Sequence, residues 1–323
     1  MGCGSYSYSA YADIEATRGF KSRGGSSICS NVKLSTKSDI RNSNINARTH
    51  NNKIKSEMIN TGVRECRDTE EHPNSTPIII ALDVTGSMYD TPVQMIKDSF
   101  PKIMRELNGL DIKDPQLLFM AIGDHEWDNY PIQVGQFESD TERIINSLQD
   151  FVLEGGGGGN LGESYSLAHI IAGYHTETDA WYKRNKKGFL FTIGDEPNLH
   201  TIDGASLEKF LGYQKPANSI TEEEALSKAR EQYNIFHIHI TNGSHGTIAP
   251  KSWESLLGQN VLTSNSENIH KVIAKAIKSY MDSYYSESCC EDIESCNMDN
   301  SKSQTTCDCE NPKPNYPTEN YTY

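Results

Sequence analysis

Oxygen-bearing side chains follow directly after an apolar run in the first third of the chain. Residues 77–82 read Pro-Ile-Ile-Ile-Ala-Leu, and Asp83, Thr85 and Ser87 come next. Carboxylate and hydroxyl oxygens are the ligands that hard divalent cations such as Mg2+ prefer. Gly86 permits a sharp turn, so that the two hydroxyls can point at one centre. The spacing predicts a metal site, and no nucleophile–base pair stands beside it.

Buried strands are needed to position these side chains. From Thr76 onward, apolar runs alternate with helical patterns, which is typical of a parallel α/β sheet. Predicted strands at 77–83, 117–123 and 188–194 have the β-branched, apolar character of strands buried on both faces. The second and third are followed by Asp124 and Asp195. In an open sheet of this class, ligands bind beyond the carboxyl ends of the strands, where strand order reverses.

A glycine-rich loop is predicted to cross the same edge. Five glycines at 155–159 precede Asn160, and Glu163 stands at the start of the next helix, which carries Tyr165 and His169. Glycines permit close backbone approach, and a carboxylate near a helix N-terminus is favoured by the helix dipole. No Gly-Lys-Ser/Thr follows, so the glycines do not form a phosphate-binding P-loop.

The three loops together resemble those of a von Willebrand factor A (VWFA) domain with a metal-ion-dependent adhesion site (MIDAS). Asp83-x-Thr85-x-Ser87 matches the first ligand loop of that family, and Asp195 matches the aspartate of its third loop. The second loop departs from the common Gly-Gly-Thr form. With Glu163 it is more similar to the glutamate-bearing loop of integrin β subunits and of some bacterial members.

The resemblance covers residues 76–284 and implies a Rossmann-like, doubly wound α/β fold with a mostly parallel central sheet and helices on both faces. It also implies a single-domain member of the bacterial or phage type. The implied ligands are Asp83, Thr85, Ser87, Glu163 and Asp195, with Asn160 and Asp124 as two further candidates. The implied cofactor is Mg2+, with Mn2+ or Ca2+ as alternatives. The implied function is capture of an Asp or Glu carboxylate from a protein partner, without catalysis.

Two other functions remain open. A Mg2+-dependent phosphohydrolase of the haloacid-dehalogenase type also ends its first strand in an aspartate, which would make Asp83 a nucleophile. Such an enzyme needs an acid/base Asp two residues later, where this chain has Thr85. The second alternative is a structural assembly subunit whose site is filled by a subunit of the same kind.

Composition restricts the partners. The chain of 323 residues has a formal net charge of -14 at pH 7, which disfavours nucleic acid and anionic membranes. No apolar run approaches the roughly 18 residues of a membrane span, and no signal-peptide pattern begins the chain, so a cytoplasmic location is expected. Residues 1–72 and 285–323 are poor in apolar residues and are predicted to be disordered arms.

Cysteines and histidines are expected to be structural at most. All eight cysteines lie outside residues 76–284, so the core is expected to hold together without them. His237 and His239 lie two apart in a predicted strand at 235–240 and therefore on one face. Without a third ligand in view, they are interpreted as core or interface histidines.

Overall fold

The computed structural model describes residues 35–36, 62–88, 91–95, 99–110, 112–149, 151–153, 159–160, 162–243 and 249–295. The chain divides into one unit of residues 1–278 and another of residues 279–323. All the strands of the described residues belong to the first unit. In the second, the described residues 279–295 are helical. The predicted arms fall mostly outside the described residues.

Strands and helices alternate along the first unit as the sequence predicts. The strands are β1 (Ser35–Thr36), β2 (Arg64–Cys66), β3 (Thr76–Asp83), β4 (Pro115–Ile122), β5 (Ile132–Val134), β6 (Val152–Leu153), β7 (Thr176–Thr178), β8 (Gly188–Gly194), β9 (Thr201–Ile202), β10 (Ile220–Thr221), β11 (Tyr233–Ile240) and β12 (Val261–Ser264). The α-helices are α1 (Thr91–Gln94), α2 (Phe100–Asn108), α3 (Thr141–Gln149), α4 (Ser166–Tyr174), α5 (Asp179–Arg184), α6 (Gly204–Leu211), α7 (Glu222–Gln232), α8 (Ala249–Leu257) and α9 (Ile269–Ser295).

A six-stranded, mostly parallel sheet forms the centre of the fold. Its strand order is β12-β11-β8-β3-β4-β5, and only β5 runs antiparallel to its neighbour. The mixed α/β class expected from the sequence is therefore confirmed. Strands β3 and β8 are adjacent, with Leu82 opposite Ile193, so their carboxyl ends meet.

Both faces of this sheet are buried, which explains the continuous apolar runs of its strands. On one face, Ile79 and Ala81 of β3 join a core cluster with residues of α4 and α7. The alternate residues, Ile78 and Ile80, point to the other face and are equally inaccessible. A second layer must therefore cover that face as well.

Strand β2 ties the segment before the central sheet to the rest of the fold. It pairs in parallel with β7, placing Arg64 opposite Thr176 and Cys66 opposite Thr178. The Arg64 Nε donates to the carbonyl of Gly135 at 2.8 Å. Cys66 is fully buried in the core cluster. The expectation that no cysteine contributes to the core is wrong for Cys66, because the sequence around it gives no sign of its partner strand over 100 residues away.

The sequence predicts a break in the helix after β3 and the end of the last helix. Pro101 is expected to kink or divide the helix after β3. It lies in the first turn of α2, and residues 96–98, between α1 and α2, lie outside the described residues. The last helix is predicted to end near residue 284 but continues to Ser295. No helix in the described part of the chain combines the length and apolarity that a bilayer span requires.

A group of aromatic and imidazole rings is buried beside α4. The His237 ring stacks on Trp253 with centroids 3.9 Å apart, and its Nδ1 lies 2.9 Å from Thr192 Oγ1. His169, at the edge of the same indole, has no hydrogen-bond partner on either ring nitrogen among the described residues. Burial lowers the pKa of His169 to about 3 and also lowers that of His237. Both are core histidines that fold in the neutral form.

Acid should therefore destabilise the fold. In the unfolded chain His169 regains its ordinary pKa of about 6.5 and binds a proton that the folded state excludes, so stability is lost as the pH falls from about 6.5 towards 3. The expected slope is about 1.4 kcal/mol per pH unit for this residue. His169→Leu should reduce the slope of the free energy of unfolding against pH by that amount. Urea unfolding at pH 7, 6 and 5 measures the slope.

The matched control is His200→Gln. His200 is exposed, and its pKa is raised by the hydrogen bond with Glu222, so its contribution has the opposite sign and is lost as the pH rises. This variant should leave the acid-side loss in place. Equal slopes for wild type and His169→Leu would contradict the prediction.

Candidate metal centre

Residues from three loops meet at the carboxyl edge of β3 and β8. Asp83 is the last residue of β3, Asp195 directly follows β8, and Glu163 lies three residues before α4. Each is at most 4% exposed. The sequence predicts all three as ligands. The two aspartates come together because β3 and β8 are parallel neighbours that end together, and the loop before α4 brings Glu163 near Asp83.

The first loop folds so that its hydroxyls face the two aspartates. The backbone N–H and the hydroxyl of Thr85 both donate to Asp83 Oδ1, at 2.8 and 2.6 Å. A single 3-10 turn, Gly86–Met88, then places Ser87, whose hydroxyl donates to Asp195 Oδ1 at 2.7 Å. The two hydroxyl oxygens are 3.3 Å apart. The Asp-x-Thr-x-Ser spacing therefore converges as the sequence predicts.

Tyr165 is a member of this cluster that sequence reasoning missed. Its hydroxyl donates to Asp83 Oδ2 at 2.8 Å, and its ring belongs to the apolar core. The approach requires Gly194, since a Cβ there would lie 1.7 Å from the Tyr165 hydroxyl oxygen. The sequence assigns Tyr165 to the apolar side of a helix, which describes its ring but not its hydroxyl. The glycine at the end of β8 is the one local signal of a close approach.

Glu163 carries a buried oxygen without a donor. Its Oε2 has no hydrogen-bond partner among the described residues. Burial, together with the nearby carboxylates of Asp83 and Asp124, raises the pKa of Glu163 far above its ordinary value. Burial also raises the pKa of Asp83, and hydrogen bonds from Thr85 oppose that shift. The cluster thus holds more carboxylate than its own hydrogen-bond donors can satisfy.

The two further candidates lie beside Glu163. Asp124 is fully buried, and its Oδ2 also lacks a partner among the described residues. Its Oδ1 accepts the backbone N–H of Glu126 at 2.8 Å, and burial raises its pKa. The Asn160 side-chain amide donates to Glu126 Oε2 at 3.0 Å. Asp124 therefore borders the cluster beside Glu163, and Asn160 is bonded to the turn that follows Asp124.

The Glu163 loop and the loop after Asp195 are joined through their backbones. Glu163 N–H donates to the carbonyl of Pro197, and Leu199 N–H donates to the carbonyl of Glu163, both at 2.9 Å. The Asn198 side chain accepts from the backbone of Ser166 at 3.0 Å and donates to Glu222 at 3.1 Å. Sequence reasoning missed Asn198, because its partners lie more than 20 residues away in either direction.

A serine, a histidine and an aspartate lie in series next to the cluster. Ser164 Oγ is 2.7 Å from His125 Nδ1, and His125 Nε2 is 3.6 Å from Asp203 Oδ2. Ser164 is fully buried, and its hydroxyl oxygen also accepts the backbone N–H of His125 at 2.9 Å. A serine enclosed in this way cannot meet a substrate. The series instead fastens the loop after β4 to the Glu163 loop.

The donors at this edge have the chemical character that Mg2+ prefers. Among the described residues, no three or more histidine, cysteine, aspartate or glutamate side chains form a metal site by themselves. A cation here would therefore also draw on the hydroxyls of Thr85 and Ser87. The orphaned oxygens of Glu163 and Asp124 are acceptors that a hard cation satisfies. On this test the residues present fit an oxygen-coordinated divalent cation.

Comparisons with known proteins identify structural similarity without a family. No family model matches the chain, and no curated protein matches it. The pilus adhesin SpaC from Lactobacillus rhamnosus GG, in its open conformation, is 7% identical with a TM-score of 0.45, over 67% of this chain and 31% of the adhesin. Proximal thread matrix protein 1 from the mussel byssus is 14% identical with a TM-score of 0.41, over 68% and 48%. The chain thus matches less than half the length of either protein.

A pair of glycines tests how tightly the cluster is packed. A Cβ at Gly243 would lie 2.2 Å from Asp195 Oδ2 and 2.6 Å from Asp195 Cβ, whereas one at Gly159 would meet nothing within 4 Å. Gly243→Ala should lower the free energy of unfolding by about 1–3 kcal/mol through overpacking. Gly159→Ala should stay within about 0.5 kcal/mol of wild type. Denaturant unfolding measures both, and equal effects would show that Asp195 is free to move aside.

Proposed function

We propose that this chain is a cation-dependent protein-binding module of the VWFA type. A divalent cation, Mg2+ in the first instance, is held at the carboxyl edge of the sheet and takes a carboxylate from a partner protein. The observation that carries the proposal is the Glu163 oxygen that is buried without a donor beside Asp83. Most buried polar atoms in natural proteins are hydrogen-bonded, so an unpaired carboxylate oxygen close to other carboxylates supports a positively charged ligand at this place.

The order of the strands supports the proposal of a doubly wound sheet. From β3 the chain extends to β4 and β5 on one side and to β8, β11 and β12 on the other. Strand order therefore reverses between β3 and β8, where ligands of doubly wound folds bind. Asp83 and Asp195 stand at the carboxyl ends of these two strands.

Each ligand would have a distinct part in holding the cation. Thr85 and Ser87 offer neutral hydroxyls, while Asp83, Glu163 and Asp195 offer charge. Mg2+ retains waters readily, so the carboxylates can act through water while the hydroxyls bind directly. With few carboxylates bound to it directly, the cation would remain electrophilic. It would then offer a coordination position to a carboxylate of the partner.

The hydrogen bonds of Asp83 favour a ligand over a nucleophile. Both of its oxygens accept hydrogen bonds, from Thr85 and from Tyr165, and the residue is fully buried. A phosphoryl acceptor needs one oxygen directed at its substrate. Neither Thr85 nor Tyr165 offers the second carboxylate that such an enzyme uses as acid and base.

Removing the charge of Glu163 should change the stability of the metal-free protein and the stabilisation by Mg2+ in opposite directions. Burial of Glu163 raises its pKa, so ionising it in the metal-free protein opposes folding at pH 7. Glu163→Gln should therefore raise the free energy of unfolding without Mg2+ and abolish the gain that Mg2+ gives to wild type. That gain is about 2.7 kcal/mol at a concentration 100 times the dissociation constant. Urea unfolding with and without Mg2+ measures both effects.

Glu222→Gln is the matched control. Glu222 is also buried, but its oxygens are paired with His200 and Asn198. This variant should keep the full Mg2+ gain. A Mg2+ gain that survives Glu163→Gln would exclude Glu163 from the cation site.

The partner chemistry can be tested with a random peptide display library. Peptides captured by the full chain in Mg2+ and released by EDTA should be enriched in Asp and Glu. Asp83→Ala should capture no such peptides, whereas Glu231→Ala, which removes an exposed carboxylate elsewhere, should behave as wild type. Enrichment that is indifferent to EDTA and to Asp83→Ala would refute carboxylate capture through a cation.

A further inference from the structure

An exposed tryptophan borders the proposed cation site. Trp127 is 61% exposed, more than any other large hydrophobic side chain described. It lies in the turn between β4 and β5, three residues after Asp124. A solvent-exposed indole forgoes the free energy of burying its apolar surface, and tryptophans of this kind are enriched at the centres of binding surfaces.

The turn that carries Trp127 is internally hydrogen-bonded. The backbone N–H groups of Trp127 and Asp128 donate to the carbonyl of Asp124 at 3.2 and 2.8 Å. The Asp128 side chain accepts the backbone N–H of Asp124 at 2.9 Å. The backbone beneath the indole is thus already ordered, so that a partner would lose little entropy in ordering it.

The same turn is attached to the loop of Glu163. Ser164 N–H donates to the carbonyl of Gly123 at 3.1 Å, and the Asn160 amide donates to Glu126 at 3.0 Å. Glu126 is exposed and directly precedes Trp127. An exposed indole and an exposed carboxylate are therefore neighbours in a turn that is hydrogen-bonded to the loop of Glu163.

The described loops at this edge carry acidic side chains without lysine or arginine to balance them. In the described parts of its loops, at 84–88, 123–131, 159–160, 162–165, 195–203 and 241–243, there is no lysine or arginine. The acidic residues of these loops and of the strand end before them are Asp83, Asp124, Glu126, Asp128, Glu163, Asp195, Glu196 and Asp203. One divalent cation brings only two positive charges. A partner that offered carboxylates alone would therefore be repelled everywhere except at the cation.

We propose that Trp127 and Glu126 form a subsite for a cationic side chain, arginine above all, that the partner carries near its metal-binding carboxylate. This inference rests on the proposed function. The planar guanidinium stacks on the indole face while it pairs with the Glu126 carboxylate. The partner segment thus combines one acid for the cation with one base for the subsite, and this combination compensates the acidic edge.

The subsite can be measured by itself with N-acetylargininamide (argininamide below), whose guanidinium is its only charge and which has no carboxylate. Titration into the full chain should shift the indole N–H signal of Trp127 in NMR spectra, with or without Mg2+. Trp127→Phe assigns the signal, and buried Trp253 provides an internal reference. N-acetylcitrullinamide, the neutral analogue, should cause no shift, and Glu126→Gln should weaken the response to argininamide. Equal shifts with both probes would overturn the subsite.

Synthetic peptides then connect the two sites. Each carries one Asp and one Arg separated by one to four glycines, and its control carries citrulline in place of Arg. In Mg2+ the best arginine peptide should bind wild type about two- to fivefold more tightly than its control. Trp127→Ala should bring the ratio of the two affinities to about 1, whereas Trp127→Phe should retain most of the preference for arginine. The control Tyr182→Ala removes an exposed aromatic side chain elsewhere and should leave the ratio unchanged.

The outcomes distinguish the subsite from the cation site. Mg2+-dependent binding of both peptides with equal affinity would overturn the subsite and leave carboxylate capture standing. An argininamide response without any Mg2+-dependent peptide binding would support the subsite and overturn carboxylate capture. A ratio that survives Trp127→Ala would place the arginine elsewhere and so refute the role of Trp127.

Discussion

Crowding of carboxylates in a buried space is the constraint on which the rest of this molecule depends. Asp83, Glu163 and Asp195 meet where water has little access, and their own fold supplies donors mainly to the two aspartates. Buried like charges repel strongly, and burial close to other carboxylates raises the pKa of Asp83 and of Glu163. The surrounding architecture serves this cluster: parallel strands that end together, a tight turn of hydroxyls, and a tyrosine directed at one aspartate.

Stability and binding are consequently opposed at this site. Burial of the apolar faces of the sheet supplies the free energy that offsets the electrostatic repulsion between the carboxylates at this edge. In the proposed function, this edge binds a divalent cation with side chains that are already assembled and do not have to be ordered on binding. Protons would compete with the proposed cation for the carboxylates.

Local patterns account for most of what the sequence predicts. The strand Gly188–Gly194 and the motif from Asp83 to Ser87 are recognised because apolar runs, turn residues and candidate ligands lie within a few positions of one another. Tyr165, Asn198 and Cys66 are different. Each is defined by a partner that is distant in the chain, and a single sequence carries no record of such pairings. The assignment of Tyr165 by periodicity alone shows the limit, since a helical pattern reports where a ring packs but not what its hydroxyl contacts.

The backbone pairing of Glu163 with Asn198 has a consequence for how this protein tolerates change in length. Surface loops usually accept insertions and deletions, because nothing fixes their register. Here Glu163 is held by backbone hydrogen bonds to Pro197 and Leu199, so Asn198 is fixed as the residue opposite it. Successive side chains in an extended pairing face opposite ways, and a slip of one residue would turn the Glu163 carboxylate away from the aspartates. The spacing within these two loops is therefore as important as the identity of their acids.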